Sequence, residues 1–383
     1  MLIAAEHIVG PEQILEPGWV QVTDGTITQV GAGSCPFAPD LRAHWLVPGY
    51  IDIHLHGGGG YDLSASPEQL AEGLRFHRAH GTISALVSLV TAPISQLCEQ
   101  LSMIADAAAY EPGILGAHLE GPFLSAARCG AHDPSQLRVP DRTTVEQLLT
   151  AGRGVLRAVT IAPELPGAIE AIDAFVRAGV VVAVGHTEAD YDLTCRAFEH
   201  GARLATHLFN AMPELSHRHP GPVGASLDSN AYVEIINDGV HVHRSLVRLV
   251  AARSPQRLVL VTDAIMAAGS PDGDYQLGSQ RVRVTHGQAR LVDGGALAGS
   301  TLTMDRAVRR AVTEVGLTVR QAMDAATLHP AHVLGLHDQI GSIVAGQRAD
   351  LLALDADLCI QNVIVGGVVQ ATDAPDTERK RTG

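Results

Sequence analysis

Two histidines set two residues apart, His54 and His56, close the stretch Val47-Pro-Gly-Tyr-Ile-Asp-Ile-His-Leu-His-Gly57. Pro48-Gly49 reads as a turn, residues 50–55 as a short buried strand, and Gly57 to Gly60 as a segment free to leave that strand at an unusual angle. On a strand, side chains two apart share a face, with Cα atoms roughly 7 Å apart, so both imidazoles can grip one ion. Alone, the pair reads equally well as a polar patch on a half-exposed strand, because short histidine motifs recur by chance. Glu120, His186, His207 and Asp263 change that balance, since each also ends an apolar run. Singly, each has a plain structural use, as a capping carboxylate or a satisfied core imidazole. Chance would scatter such side chains along their strands rather than gather them at one end. Imidazole with carboxylate suits zinc, iron, manganese or cobalt, and suits calcium or magnesium poorly. Such an ion lowers the pKa of a coordinated water towards about 7 and polarises a carbonyl. A carboxylate beside it, Asp263, is placed to act as general base. The chemistry implied is metal-assisted hydrolysis.

The elements that must position these groups follow from the hydrophobic pattern. Residues 51–56, 83–90, 114–120, 156–162, 180–186, 203–207, 232–237 and 258–263 read as strands, and amphipathic stretches at 67–80, 95–109, 168–178 and 190–200 read as helices between them. Strands alternating with helices over about 300 residues predict a (β/α)8 barrel, in which every strand delivers its C-terminal end to one face. An open doubly wound sheet is disfavoured by the absence of a Gly-x-Gly-x-x-Gly after the first strand. A hairpin-rich insertion is expected over about 272–297, and helices over 303–315 and 318–334. Residues 19–22 and 26–30 flank Asp24-Gly25, a hairpin signal. Together with strands at 346–354 and 362–370 they predict a small β-sandwich from the two ends of the chain. The expected division is therefore 1–47 and 346–383 for the sandwich and a polar tail, and 48–345 for the catalytic barrel.

Composition bounds the function. The 383 residues carry a net charge of −14, scattered along the chain, which argues against general binding to nucleic acid or an anionic membrane. No apolar run reaches the length of a membrane span, and MLIAAEHIVG lacks the basic start of a signal peptide, so a cytoplasmic location is expected. The five cysteines are far apart, without Cys-x-x-Cys, which fits a reducing compartment. The one lysine is Lys380, so neither a Schiff-base lysine nor a carboxylated lysine serves the core, and any bridging metal ligand must be a carboxylate.

With these residues in place, the chain resembles the amidohydrolase superfamily and, within it, the N-acetylglucosamine-6-phosphate deacetylase family. The matching stretches are VPGYIDIHLHGGGG (47–60), GAHLEGPFLSAARCGAH (116–132), VGHTEADYD (184–192), THLFNAM (206–212), IINDGVHV (235–242), VTDAIMAAG (261–269) and LAGSTLTMD (297–305). The resemblance implies a divalent transition metal, zinc foremost and iron, cobalt or manganese as alternatives, held by Glu120, His186 and His207. It implies that a second ion, bridged through Glu120, sits on His54 and His56, giving one or two ions per subunit. Asp263 is then base and afterwards acid, with Ala131 and His132 contacting the substrate near the reacting amide. Asn210, Ala211, Arg218 and His241 would hold the phosphate, across the interface of a homodimer, and Leu297, Ala298, Gly299 and Ser300 would form a further substrate turn. Cys129, between Glu120 and His132, is read as a passive thiol in a loop. The rival readings are a purine-type deaminase, a cyclic amidase, and a non-catalytic barrel scaffold.

Overall fold

The turn expected at Pro48-Gly49 is not formed: Pro48 ends a strand of the terminal sheet, and Gly49 alone links it to the first barrel strand at Tyr50, so the chain runs almost straight from one sheet into the other. The computed structural model describes residues 1–371. The remainder of the polar tail expected at 371–383, including Lys380, lies outside the described residues.

Eight strands form the barrel: β1 Tyr50–Leu55, β2 Thr82–Val90, β3 Ile114–Glu120, β4 Leu156–Ile161, β5 Val181–Val184, β6 Leu204–Ala205, β7 Tyr232–Ile236 and β8 Leu258–Val261. Each pairs in parallel with the next in sequence order. The ring closes between β8 and β1 just beyond the ladder, where Leu55 bridges Ala264. There the Asp263 N–H donates to the His54 carbonyl and the His56 N–H to the Ala264 carbonyl, each at 2.9 Å. Deeper in the seam, buried Asp52 accepts the Thr262 hydroxyl at 2.5 Å and the His54 and Thr262 amides at 3.2 and 3.4 Å.

Helices cover the outside because their apolar residues recur at helical spacing. In Ala168–Arg177 the buried residues are Ala168, Ala171, Ile172 and Phe175, a single face. Burying a side chain such as Phe175 contributes on the order of 2–3 kcal/mol. Asp190 starts the helix Tyr191–Glu199 by accepting the Leu193 N–H at 2.8 Å. The helix expected over 318–334 is two helices, Val319–Ala326 and Leu328–Leu334. Pro330 has no N–H to offer the carbonyl four residues back, so the first helix stops and a new one starts at Thr327.

The sandwich expected from the termini is one eight-stranded sheet in which 2–9, 41–48 and 351–354 are central. The sheet curls so that its end strand 26–32 meets the segment leading into 351–354: the Ile27 N–H donates to the Gln347 carbonyl at 2.9 Å and the Ala349 N–H to the Gly25 carbonyl at 2.8 Å. Ile3, Val20, Ile27, Leu351 and Ile364 fill the space inside the curl. The insertion is a three-stranded antiparallel ribbon, Gly273–Leu277, Gln280–Thr285 and Gln288–Leu291, packed through Leu277, Val282 and Ala289 against Ile265 and Ala298 at the barrel mouth.

Candidate metal centre and active site

The strands expected to end at His186 and His207 stop earlier, at Val184 and Ala205. His186 (φ 48°), His207 (φ 27°) and Asp263 (φ 49°) instead stand just past the strands in left-handed conformations. Such backbone is costly for a side-chain-bearing residue and persists where its surroundings over-determine it. Here it turns each side chain inward over the barrel axis. Gly185 lets this happen, because a Cβ there would sit 2.6 Å from Thr206 and 2.9 Å from Thr160.

Glu120, at the end of β3, is the hub. Its Oε1 lies 3.1 Å from His186 Nε2, 3.0 Å from His207 Nε2 and 3.4 Å from His54 Nε2, and its Oε2 is 3.3 Å from His56 Nε2. Two groups result, His54–His56–Glu120 and Glu120–His186–His207, each with ligand atoms within 4.8 Å of one another. Asp263 Oδ1 approaches His56 Nε2 at 3.2 Å and His54 Nε2 at 3.6 Å. All six side chains are nearly inaccessible to solvent.

The outer nitrogens decide what this cluster can hold. His186 Nδ1 meets the Arg128 carbonyl at 2.8 Å, and His56 Nδ1 the Ser88 carbonyl at 3.1 Å. A carbonyl only accepts, so each Nδ1 carries a proton, and a ring with no second proton turns a bare Nε2 lone pair towards carboxylate oxygens. His54 follows the same pattern, with Nδ1 on Glu234 Oε2 at 3.1 Å and a buried Nε2 that has no hydrogen-bond partner. Lone pairs facing carboxylates repel unless a cation stands between them. Among the described residues no lysine or arginine pairs with Glu120, Glu234 or Asp263; their ion-pair partners are histidines. The donor set therefore fits a divalent cation, with His54, His56 and His186 each oriented by an outer acceptor, while the buried His207 Nδ1 has no hydrogen-bond partner. In the protein alone, protons take the cation's place. Burial works against the charge on His56, yet bonds to Asp263 and Glu120 carry it up to about 9. Burial likewise opposes the charge on Asp263, but His54 and His56 hold its carboxyl down at about 2.

A cavity of about 300 Å³ opens beside the cluster, room for one hexose-sized ligand. His132 projects into it: its Nδ1 accepts the Thr91 N–H at 3.2 Å, so the proton sits on Nε2, 3.3 Å from Glu120 Oε2. Burial lowers the pKa of His132, leaving it a neutral donor. His241, also in the cavity lining, pairs through Nδ1 with Asp238 Oδ2 at 2.7 Å, and although burial resists its charge, that carboxylate raises its pKa. Ala131, Asn210, Ala211, Leu297 and Gly299 also line the cavity.

Three of the residues expected to contact the substrate do not reach it. Ala298 is fully buried under the insertion, and the Ser300 hydroxyl is turned inward to the Thr262 carbonyl at 2.6 Å. They hold the turn whose other members, Leu297 and Gly299, face the cavity. Arg218 is exposed in the loop before the helix Gly221–Asp228, outside the cavity lining. Cys129 is a half-buried free thiol that also stands outside the lining. Sequence reasoning missed Arg128, which lines the cavity, and Glu234, a lone acid in the apolar strand YVEII. That break in an otherwise buried pattern was the available signal.

The amidohydrolase family pattern matches residues 45–369, which include every ligand just described. The chain belongs to the amidohydrolase family. This amidohydrolase is 39% identical over 373 residues to an N-acetylgalactosamine-6-phosphate deacetylase of Escherichia coli O157:H7, covering 94% of this chain and 98% of that one. It is 36% identical to the N-acetylglucosamine-6-phosphate deacetylase of Bos taurus, covering 84% and 82%. Among solved structures, the N-acetyl-D-glucosamine-6-phosphate deacetylase of Mycobacterium smegmatis, in a mutant form bound to N-acetyl-D-glucosamine-6-phosphate, superposes with a TM-score of 0.94. That match is 42% identical and covers 96% of this chain and 98% of the other.

Proposed function

We propose that this amidohydrolase removes the acetyl group from N-acetyl-D-glucosamine 6-phosphate, giving acetate and glucosamine 6-phosphate. The observation that carries the reading is the cavity itself. An acid, Asp263, and an N–H donor, His132, flank a cation-shaped cluster, and His241, an imidazole whose pKa the Asp238 carboxylate raises, lines the same cavity and offers a grip for phosphate. A barrel kept only as a scaffold has no need of buried carboxylates without permanent cationic partners. A purine deaminase has no use for a phosphate grip, and a cyclic amidase of the carboxylated-lysine kind lacks its lysine.

Glu120, His186 and His207 would hold the principal ion, zinc foremost, and His54 and His56 with Glu120 a second. When bound, the cation makes water a nucleophile at neutral pH and polarises the amide carbonyl. Asp263 accepts the proton released as the water oxygen bonds to the acetyl carbon. His132, its ring held by the bond from Thr91, would offer its Nε2–H, which lies 3.3 Å from Glu120 Oε2 in the protein alone, to the carbonyl oxygen as it gains negative charge. As the C–N bond breaks, Asp263 passes its proton to the leaving amine nitrogen, so the sugar departs as a neutral amine. His241 and the Asn210–Ala211 turn hold the phosphate, and Leu297 and Gly299 pack the sugar. In this reading the enzyme is a homodimer, and the exposed Arg218 guanidinium would reach the phosphate of the partner's site. Residues 48–345 are the catalytic unit in this reading, with 1–47 and 346–383 as its support, in a cytoplasmic enzyme.

The C4 epimer is a second substrate reading, favoured by the 39% identity to an N-acetylgalactosamine-6-phosphate deacetylase over almost its whole length. Acetate release from both sugar phosphates, before and after chelator treatment, tests both. Chelator-sensitive turnover of the gluco sugar is expected. Turnover of the galacto sugar alone would transfer the assignment to the epimer, and turnover of neither would end the deacetylase reading.

A further inference from the structure

We propose that Glu234 is the positioning residue that couples the two halves of the metal centre, an inference that rests on the metal reading above. Glu234 lies in β7, is 1% exposed, and touches neither the cavity nor the cluster of ligand atoms around Glu120. Its Oε2 alone accepts two donors from opposite sides: His54 Nδ1–H at 3.1 Å and the His207 backbone N–H at 3.1 Å. One residue further, its carbonyl accepts the Leu208 N–H at 2.8 Å. His54 belongs to one three-ligand group and His207 to the other.

Each contact has a separate consequence. The bond to His54 puts the proton on Nδ1 and aims the bare Nε2 at Glu120 Oε1, 3.4 Å away. A carboxylate in that position also makes the imidazole a stronger donor to a cation. The pair of bonds around His207, side chain to its N–H and main chain to the next, brackets a residue at φ 27°, which is held in the left-handed region only by such contacts. Glu120 joins the two groups from inside the cavity, and Glu234 joins them from behind.

A purely structural role would not call for a charge here. An amide or a hydroxyl satisfies two N–H donors, whereas a carboxylate so deeply buried carries a penalty of several kcal/mol unless a cation offsets it. Among the described residues the only ion-pair partner of Glu234 is His54. The charge is useful when His54 is a ligand.

The test compares the wild type with Glu234→Ala and Glu234→Gln, each stripped with chelator and reloaded with Zn²⁺. Zinc per chain and affinity are read by chelator competition, and the melting temperature of the metal-free protein reports folding. The alanine variant should bind every zinc that the wild type holds about 10- to 100-fold more weakly, the usual range for a lost outer partner. The glutamine variant should fall between, because one amide oxygen can accept both bonds without the charge. His56→Ala is the reference for a loss confined to one group. Wild-type affinity in Glu234→Ala, or a loss confined to the His54–His56 group, overturns the coupling and leaves the deacetylase reading standing. A wild type that takes up no zinc or other divalent transition metal removes the metal reading and this inference with it. If the alanine variant does not fold, the glutamine variant decides, and unchanged affinity there overturns the role of the charge.

Discussion

Gly299→Ala is the substitution whose effect can be worked out most fully. Gly299 adopts φ +60°, and a Cβ built on it would stand 2.6 Å from Ile265 Cγ2 and 2.9 Å from the Asp263 carbonyl oxygen. Carbon atoms pack best at about 3.5–4.0 Å, so the new methyl overlaps the Ile265 methyl by roughly 1 Å. The left-handed backbone adds about 1–2 kcal/mol for any residue with a Cβ, and overpacking typically adds about 1–3 kcal/mol. A total near 3 kcal/mol, with an unfolding entropy of about 2.1 cal/mol/K per residue, lowers the melting temperature by about 4 °C. The functional consequence is larger than the stability one. The Asp263 carbonyl that the methyl presses against also accepts the Ser300 N–H at 2.7 Å, so relief of the clash shifts the Asp263 backbone and its carboxylate together. Misplacing a reacting group by an ångström costs up to about 100-fold. We therefore expect kcat for acetate release to fall about 10- to 100-fold, with metal content unchanged. The assay is steady-state acetate release beside a melting curve and a zinc determination on the same preparation. A variant that melts lower yet turns over at the wild-type rate would refute the argument, because the strain would then have been absorbed away from Asp263.

Three further outcomes follow from the same geometry. Asp263→Asn keeps the size of the side chain but cannot accept the proton of water, so turnover should drop by at least about 100-fold while zinc content holds; near-normal kcat would remove Asp263 from the reaction. Arg218→Ala should raise KM for the phosphorylated sugar and leave the unphosphorylated sugar unaffected, and an equal loss on both would contradict the phosphate assignment. Away from the metal, burial lowers His329, whose Nδ1 donates to the Leu258 carbonyl at 2.6 Å, to about 4. Between about pH 6.5 and 4 the unfolded chain binds a proton that the folded one refuses, so stability is complete above that window and is lost as pH falls through it, by about 2 kcal/mol between pH 7 and 5. His329→Gln should flatten that part of the pH–stability curve, and an unchanged slope would show that His329 takes up its proton without unfolding.

The barrel was legible in the sequence because parallel strands buried on both faces read as continuous apolar runs, and β3 fell at the expected 114–120. The shorter strands were not. His186, His207 and Asp263 lie beyond their strands in left-handed backbone, a conformation that sequence does not announce for histidine or aspartate. The reading therefore placed these residues on the right element while missing how they are turned inward. Ser300 shows the complementary limit. A motif gives a position, but whether a hydroxyl faces a ligand or the Thr262 carbonyl depends on the insertion packed behind it. Glu234 was visible as a charge in an apolar strand, yet its partners come from 27 and 180 residues away, distances that no local pattern spans.

The seam of the barrel keeps the proposed base and the proposed ligands in register. Elsewhere in the ring, neighbouring strands are joined by ladders, and Glu120 lies in two of them, whereas β8 meets β1 beyond its ladder through the main chain of His54, His56, Asp263 and Ala264. The Asp263 N–H is fixed to the His54 carbonyl, and the His56 N–H to the Ala264 carbonyl on the far side of the same residue. The Asp263 carbonyl is fixed to Ser300, in the turn that lines the cavity. One main-chain network thus sets the distance from the base to the ligand strand on one side and to the sugar on the other, before any ligand arrives. Asp52 and Thr262 lock that network from below through a buried carboxylate that takes the Thr262 hydroxyl and both flanking amides. In the proposed reaction the barrel closes where the proton is moved, so the stability of the fold and the alignment of Asp263 depend on the same few hydrogen bonds.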